Sequence, residues 1–148
     1  MKKIILSVAM LATTLCFSQW TTKIINSEFD GKFKKCFTQI NNNGYLAMEK
    51  DVDHPFMFLR GSYFCDDDTH IDFVLVVNGV NKKYDIAVSK SKDSQCYYFD
   101  GSIWTEEFIA DFKNASKCSI RVNQSHCQND YYTFNMSGST AAYNFITN

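Results

Sequence analysis

Proline occurs once in this 148-residue chain, and positive charge is not in surplus, since 15 Lys and Arg stand against 16 Asp and Glu. The lack of a basic field argues against nucleic acid or an anionic lipid surface as a partner. No apolar run reaches the roughly 20 residues that a membrane-spanning helix needs. Repeats, linkers and low-complexity tracts are missing too, while aromatic residues make up 16% of the chain. A disordered chain is therefore excluded, and one globular domain is expected.

Motifs of catalysis are also scarce. The sequence contains no G-x-S-x-G and no C-x-x-C, so neither a serine hydrolase elbow nor a zinc ribbon is indicated. The chain has three histidines, His54, His70 and His126. With this number, a Cys–His pair is expected by chance and does not indicate a catalytic site. Glu106 and Glu107 are adjacent and diverge on a helix, which does not suit an acid/base couple. These absences favour a non-catalytic protein with no cofactor, and a small secreted hydrolase is the alternative.

Residues 1–18 have the organisation of a secretory signal peptide. Two lysines follow Met1, residues 4–15 form an apolar stretch, and small residues occupy both cleavage-recognition positions, Cys16 and Ser18. The apolar stretch is too short to cross a bilayer as a helix. Cleavage after Ser18 would leave residues 19–148 as a single domain with a net charge of about −3.

Cys16 also raises the alternative of a lipid anchor. Lipid attachment requires a small residue directly before the cysteine, and Leu15 occupies that position. The Lys-Lys start, the Ser-Gln junction and the Asn- and Lys-rich composition resemble exported proteins of flavobacteria-like Gram-negative bacteria. We therefore expect a periplasmic or secreted bacterial protein that carries no lipid.

Five cysteines remain after the leader, and export would place them where disulfides persist. Cys65 ends a strand beside an acidic turn, and Cys96 begins another strand after a polar loop. Bridges between neighbouring strands form easily at sheet ends, so we expect Cys65–Cys96. Cys127 would then join Cys36 or Cys118, leaving one thiol unpaired. A Cys118–Cys127 bond is not expected, because Cys118 lies about 13 Å from the loop base at ~3.3 Å per residue.

Short alternating segments with turn signals dominate the chain. The predicted strands cover 22–29, 33–40, 45–49, 56–59, 71–77, 83–89, 95–99, 117–122 and 131–136, and 61–65 is expected to continue the fourth strand beyond a bend. Asn-Gly pairs at 43–44 and 78–79 are hairpin signals. Segment 71–77 is apolar on both faces, which predicts a strand in a sheet covered on both sides.

Two segments change to a helical period. Thr105 is placed to cap a helix over 105–113, with Glu106 and Glu107 at the positive end of its dipole. Ser139 is predicted to cap a C-terminal helix that runs through Ile146. The expected fold is therefore α+β, with a mostly antiparallel, sandwich-like sheet.

The C-terminal half also carries a family resemblance. The segments 108–113 and 132–143, with Ser137-Gly138-Ser139 after the last strand, resemble the C-terminal half of invasion-associated locus B-type periplasmic proteins. The match covers roughly forty residues of residue-type pattern. It implies a small exported β-sandwich without known catalysis and carries no functional residues across.

The densest cluster of candidate ligands surrounds His70. Asp66, Asp67 and Asp68 precede it, and Asp66, Asp68 and His70 alternate along the chain. Oxygen and imidazole ligands of this kind can hold a metal ion, but the glycine and the distal glutamate of an EF-hand are missing. A solvated turn is therefore expected, and a metal-binding protein is a second alternative.

Four rings are candidates for a binding surface: Tyr97, Tyr98, Trp104 and Tyr131. Such rings supply contact area at a low entropic cost. The function favoured by the sequence is an exported binding or accessory domain. Its partner would be an envelope or extracellular protein or a glycan.

Overall fold

The computed structural model describes residues 19–28, 31–41, 44–50, 55–66 and 70–148. These residues form an antiparallel sheet and two α-helices, which confirms the predicted α+β class. The strands are β1 (Trp20–Ser27), β2 (Gly31–Asn41), β3 (Gly44–Glu49), β4 (Phe56–Arg60), β5 (His70–Val77), β6 (Val80–Lys90), β7 (Cys96–Phe99), β8 (Ala115–Val122) and β9 (Asp130–Asn135). The helices are α1 (Glu106–Asn114) and α2 (Ser139–Thr147).

The strands are ordered β1-β2-β3-β4-β7-β6-β5-β8-β9 in one sheet. Its two ends approach each other: the backbone N–H of Gln19 donates to the carbonyl of Ser137 at 3.2 Å. A Cβ added to Gly44 in β3 would lie 3.2 Å from the ring of Tyr132 in β9. The sheet is therefore folded over itself in a sandwich-like arrangement with a common interior.

Both helices pack on the inner face of the sheet. Phe108 and Phe112 of α1 are buried, and the Phe108 ring lies 5.7 Å from Phe73 in β5. Ala142 and Ile146 of α2 are buried in the same core. Alternate residues of the strands complete this core, as period-2 patterning requires.

Local signals for turns and caps are mostly confirmed. Asn78 and Gly79 both have positive φ, 51° and 78°, as expected for a type I′ hairpin turn. The Thr105 hydroxyl accepts from the Phe108 N–H at 3.2 Å and caps α1. The predicted cap at Ser139 is wrong, because Gly138 occupies the cap position with a left-handed φ of 89°. Ser139 lies inside α2, and its hydroxyl donates to the Lys113 carbonyl at 3.3 Å.

Residues 61–65 do not continue β4 as a strand. The Gly61 N–H donates to the Gln95 carbonyl at 2.9 Å, and the Phe64 N–H donates to the Ser94 carbonyl at 2.7 Å. Phe64 turns into the core, where it is fully buried. The chain is thus redirected after Arg60 towards the loop between β8 and β9.

The first strand begins two residues earlier than predicted, and Phe29 lies outside the described residues.

The prediction that β5 is covered on both faces is wrong. Phe73, Leu75 and Val77 face the core under α1, while Val74 and Val76 are only half-buried on the other face. Both helices lie on the inner side, so valines on the outer side serve as the floor of an open surface.

The structure corrects the expected disulfide. Cys65 bonds Cys127, with Cα atoms 6.2 Å apart, and the predicted Cys65–Cys96 bridge is not formed. Cys96 is paired with Arg60 on β4, and its side chain is buried with Ala47 and Phe58. The redirection after Arg60 carries Cys65 away from it to the β8–β9 loop.

The other two cysteines, Cys36 and Cys118, are buried thiols in the main core. Cys118 lies opposite Phe134 and is a free thiol, which confirms the expectation that Cys118 does not bond Cys127. Three thiols are thus unpaired in the described chain, where one was predicted.

No helix within the described ranges has the length and apolarity to cross a membrane.

Candidate functional site

A shallow open groove lies across β6, β5, β8 and β9, on the outer face of the sheet. Its volume is about 420 Å³, within the range of ~300–1,000 Å³ usual for ligand pockets. The pairing registers arrange the outward side chains in rows that cross the four strands. The first row is Asp85, Asp72, Arg121 and Tyr131, and the second is Lys83, Val74, Ser119 and Thr133.

The first row is organised by an ion pair. Nη2 and Nε of Arg121 donate to Oδ2 of Asp72 at 2.5 and 2.7 Å, and the Asn123 amide donates to the same oxygen at 3.1 Å. The hydrogen bond from Arg121 lowers the pKa of Asp72, and the same contact raises the pKa of Arg121. Both groups are therefore charged at neutral pH. Oδ1 of Asp72 takes no part in these three bonds.

The second row is an apolar floor with hydroxyls beside it. Val74 is half-buried and lies between Lys83 and Ser119, and Ser119 is paired with Thr133. Lys83 and Thr133 are exposed. The row thus offers one cation and two hydroxyls around a short apolar strip. Such a mixture of a few polar groups on an apolar base is typical of small-ligand sites.

The four candidate rings have different surroundings. Tyr131 is 69% exposed at the end of the first row, as a binding residue should be. Tyr97 is fully buried, because its side chain extends from β7 into the hydrophobic core. Trp104 packs edge-on against Phe108 at 5.5 Å. The structure therefore assigns Tyr97 and Trp104 to packing and leaves Tyr131 available for contact.

Tyr98 belongs to a second aromatic feature, on the outer face of β2, β3, β4 and β7. We call it the ring cluster; it comprises Phe37, Tyr45, Phe56, Phe58 and Tyr98. Its rings are tilted or edge-on to one another. Lys35 is held by Glu49 at 2.9 Å and lies 4.9 Å above the Phe58 ring. The ring cluster is thus packed within itself and partly covered.

A third cluster joins the acidic turn to the disulfide loop. Oδ1 of Asp66 lies 2.7 Å from Nδ1 of His126, and its Oδ2 accepts from the Ser125 hydroxyl at 2.8 Å. The backbone N–H groups of Ser125 and His126 also donate to Oδ2. The contacts from His126 and then Ser125 lower the pKa of Asp66 to about 2.

These three residue types also make up hydrolytic triads, but their arrangement here differs from a triad. In a triad the carboxylate orients Nδ1 and the hydroxyl meets Nε2. Here the Ser125 hydroxyl approaches the same Nδ1 at 3.4 Å and donates instead to Asp66. The His126 side chain is 83% exposed. The cluster therefore fastens the loop and lacks the geometry that would activate Ser125.

The metal candidates fall partly outside the described residues, since Asp67 and Asp68 are not among them. His70 is exposed at the start of β5, and His54 also lies outside the described ranges. Asp66 is engaged by Ser125 and His126. Within the described part of the chain, no three His, Cys, Asp or Glu side chains are grouped to hold a metal ion.

Sequence reasoning found Tyr131 and missed most of the groove. Asp72 is 49 positions from Arg121 and 51 positions from Asn123, so only the strand registers reveal that they share a face. One signal was present: Val74 and Val76 give β5 a second apolar face. An apolar outer face without a helix to cover it indicates a surface that meets something else.

Comparison with known proteins adds no relative to this geometry. No family model, curated protein or solved structure matches the chain. The groove and the clusters around it must therefore be interpreted from their own chemistry.

Proposed function

We propose that this chain is an exported, non-catalytic binding domain that holds its ligand in the groove across β6, β5, β8 and β9. The observation that carries the proposal is the row Asp72–Arg121–Tyr131. It places a fixed ion pair beside a tyrosine that is 69% exposed, in a groove of about 420 Å³. A large exposed ring next to a preorganised polar network is typical of recognition surfaces.

The chemistry of the groove favours binding over catalysis. No histidine or cysteine lines it among the described residues. The ionised Asp72 is tied to Arg121, and its lowered pKa makes it a weak proton acceptor. Ser119 has no adjacent base on its row, since Val74 and Thr133 flank it. The hydrolase alternative therefore finds less support in this groove than binding does.

Export is the second part of the proposal. It rests on the leader pattern of residues 1–18 and is supported by the Cys65–Cys127 disulfide, a bond that persists in oxidising compartments. The resemblance to invasion-associated locus B-type proteins remains a proposal and points the same way. Periplasm and extracellular space both fit these observations.

A ligand screen with a blocked groove tests the proposal. Thr133 is exposed on β9 inside the groove, and Thr133→Trp would fill it; Thr22→Trp adds the same bulk at an exposed position on β1. Residues 19–148 and both variants are screened by thermal shift against saccharides, peptides, nucleotides and fatty acids. Chromatography of each mixture monitors turnover.

We expect at least one class to stabilise the wild type and the Thr22→Trp control but not Thr133→Trp, with every compound recovered intact. A ligand that stabilises all three proteins equally would place binding outside the groove. The appearance of a product, or the absence of any binder, would also contradict the proposal.

A further inference from the structure

We propose that the ligand of the groove is an oligosaccharide; this inference rests on the proposed function and gives its ligand class. The groove combines one exposed aromatic ring with several hydrogen-bonding side chains, two of which, Asp72 and Arg121, form an ion pair. Sugars match both features, because a pyranose presents a face of C–H groups and a rim of hydroxyls. Three properties of the surface favour this ligand.

The first property is the position of Tyr131. Its side chain is 69% exposed and lies opposite Arg121, at the end of the first row. With most of its surface exposed, this side chain is accessible to a ligand that runs along the row. Apolar C–H groups pack favourably on such a π-face.

The second property is the arrangement of donors and acceptors. Three donors from Arg121 and Asn123 converge on Oδ2 of Asp72, and Oδ1 takes no part in these bonds. An ionised carboxylate accepts strong hydrogen bonds, and a hydroxyl pair of a sugar can donate to it while accepting from a neighbouring cation. Lys83, Ser119 and Thr133 supply further partners on the adjacent row.

The third property is the balance of charge. Asp72 and Asp85 share the outer face of these strands with Lys83, Lys117 and Arg121. The near-balance disfavours a polyanion such as nucleic acid, which requires a continuous basic surface. A fatty chain would need more apolar area than the strip formed by Val74 and Val76. A polyhydroxylated ligand needs neither.

A peptide is the competing occupant, because it also hydrogen-bonds and can stack a side chain on a ring. An extended peptide that adds to a sheet uses the backbone of an edge strand, with side-chain pockets for specificity. The floor of the groove is formed by β5 and β8, which are each paired on both sides and offer no free edge to an added strand. The observations therefore favour the saccharide.

Calorimetric titration tests the inference on residues 19–148. The probes are hexasaccharides with β-1,4-glucose, α-1,4-glucose, β-1,4-xylose, β-1,4-N-acetylglucosamine and galacturonate backbones, and extended hexapeptides of mixed composition. The variants are Tyr131→Ala, Tyr131→Phe, and Tyr63→Ala as a matched control, since Tyr63 is 60% exposed and lies outside the groove lining.

We expect at least one hexasaccharide to bind. Tyr131→Ala should weaken it by roughly tenfold or more, the loss typical of removing an important aromatic contact. Tyr131→Phe keeps the ring and should bind more tightly than Tyr131→Ala, and Tyr63→Ala should bind as the wild type does. Thermal midpoints within the wild-type range establish that each variant is folded, and Thr133→Trp gives a second test of the same site.

Peptide binding that depends on Tyr131, without saccharide binding, would overturn the inference and leave the proposed function standing. Saccharide binding that is equal in Tyr131→Ala and the wild type would overturn the inference and the placement of the site. No binding by any hexasaccharide would also overturn the inference.

Discussion

Cys65 and Cys127 are joined by a disulfide, with Cα atoms 6.2 Å apart although 62 positions separate them in the sequence. The bond attaches the chain after β4 to the loop between β8 and β9. Hydrogen bonds reinforce the same junction: the Cys65 N–H donates to Oε1 of Gln124 at 2.6 Å, and Asp66 accepts from Ser125. The end of the groove nearest Asn123 is thus supported by a fastened loop.

Loss of this disulfide should destabilise the domain. A Cys65→Ser/Cys127→Ser double variant removes a closed loop of 62 residues, for which the chain-entropy relation gives about 4 kcal/mol. Urea unfolding measures the change. As a control, reductant should decrease the difference in unfolding free energy between the wild type and the variant, because only the wild type has a disulfide that can be reduced. Peptide mapping under non-reducing conditions that recovers Cys65–Cys96 would refute the assignment.

Acid stability should depend on Asp66. The contacts from His126 and Ser125 lower its pKa from 3.8 to about 2. Because the folded-state pKa is lowered, the ionised form stabilises the fold above pH 3.8, and this contribution is lost as the pH falls through 2. Asp66→Asn should therefore lower stability at pH 7 and flatten its pH dependence between these values. Asp85→Asn is the control. If stability depended on pH equally steeply in the wild type, Asp66→Asn and Asp85→Asn, the assignment would be contradicted.

Gly61 should not tolerate a side chain. A Cβ at this position would lie 2.5 Å from the Tyr132 hydroxyl and 2.8 Å from the Phe64 ring, closer than non-bonded atoms approach. Gly61→Ala should destabilise by about 1–3 kcal/mol, as overpacking usually does. Adding Tyr132→Phe removes one of the two clashes, so the double variant should lose less than the sum of the single variants. Strict additivity in urea unfolding would argue against this close approach.

Export should remove residues 1–18. The two lysines, the apolar residues 4–15 and the small residues Cys16 and Ser18 predict cleavage that leaves Gln19 as the first residue. Intact-mass analysis of protein secreted or released from the periplasm measures the cleavage site. Replacing Ser18 with a bulky residue should slow processing. A mature chain that retains Met1, or that carries lipid on Cys16, would contradict the prediction.

Local patterns predicted the elements well. The type I′ signal at Asn78–Gly79 and the Thr105 cap depend on contacts within a few residues, so sequence alone locates them. The Cys65–Cys127 bond depends on how the chain leaves β4 at Gly61, which is a tertiary contact with Gln95. The groove depends on registers between β5, β6, β8 and β9. No local pattern contains that information.

The proposed function requires that ligand is held on the outer face of β6, β5, β8 and β9. Amide chemical-shift mapping of ¹⁵N-labelled residues 19–148, titrated with the tightest ligand from the screen, measures this directly. The largest shifts should cluster at Asp72, Ser119, Arg121 and Tyr131 and should be abolished in Thr133→Trp. Largest shifts at the ring cluster, or around Asp66 and His126, would contradict it.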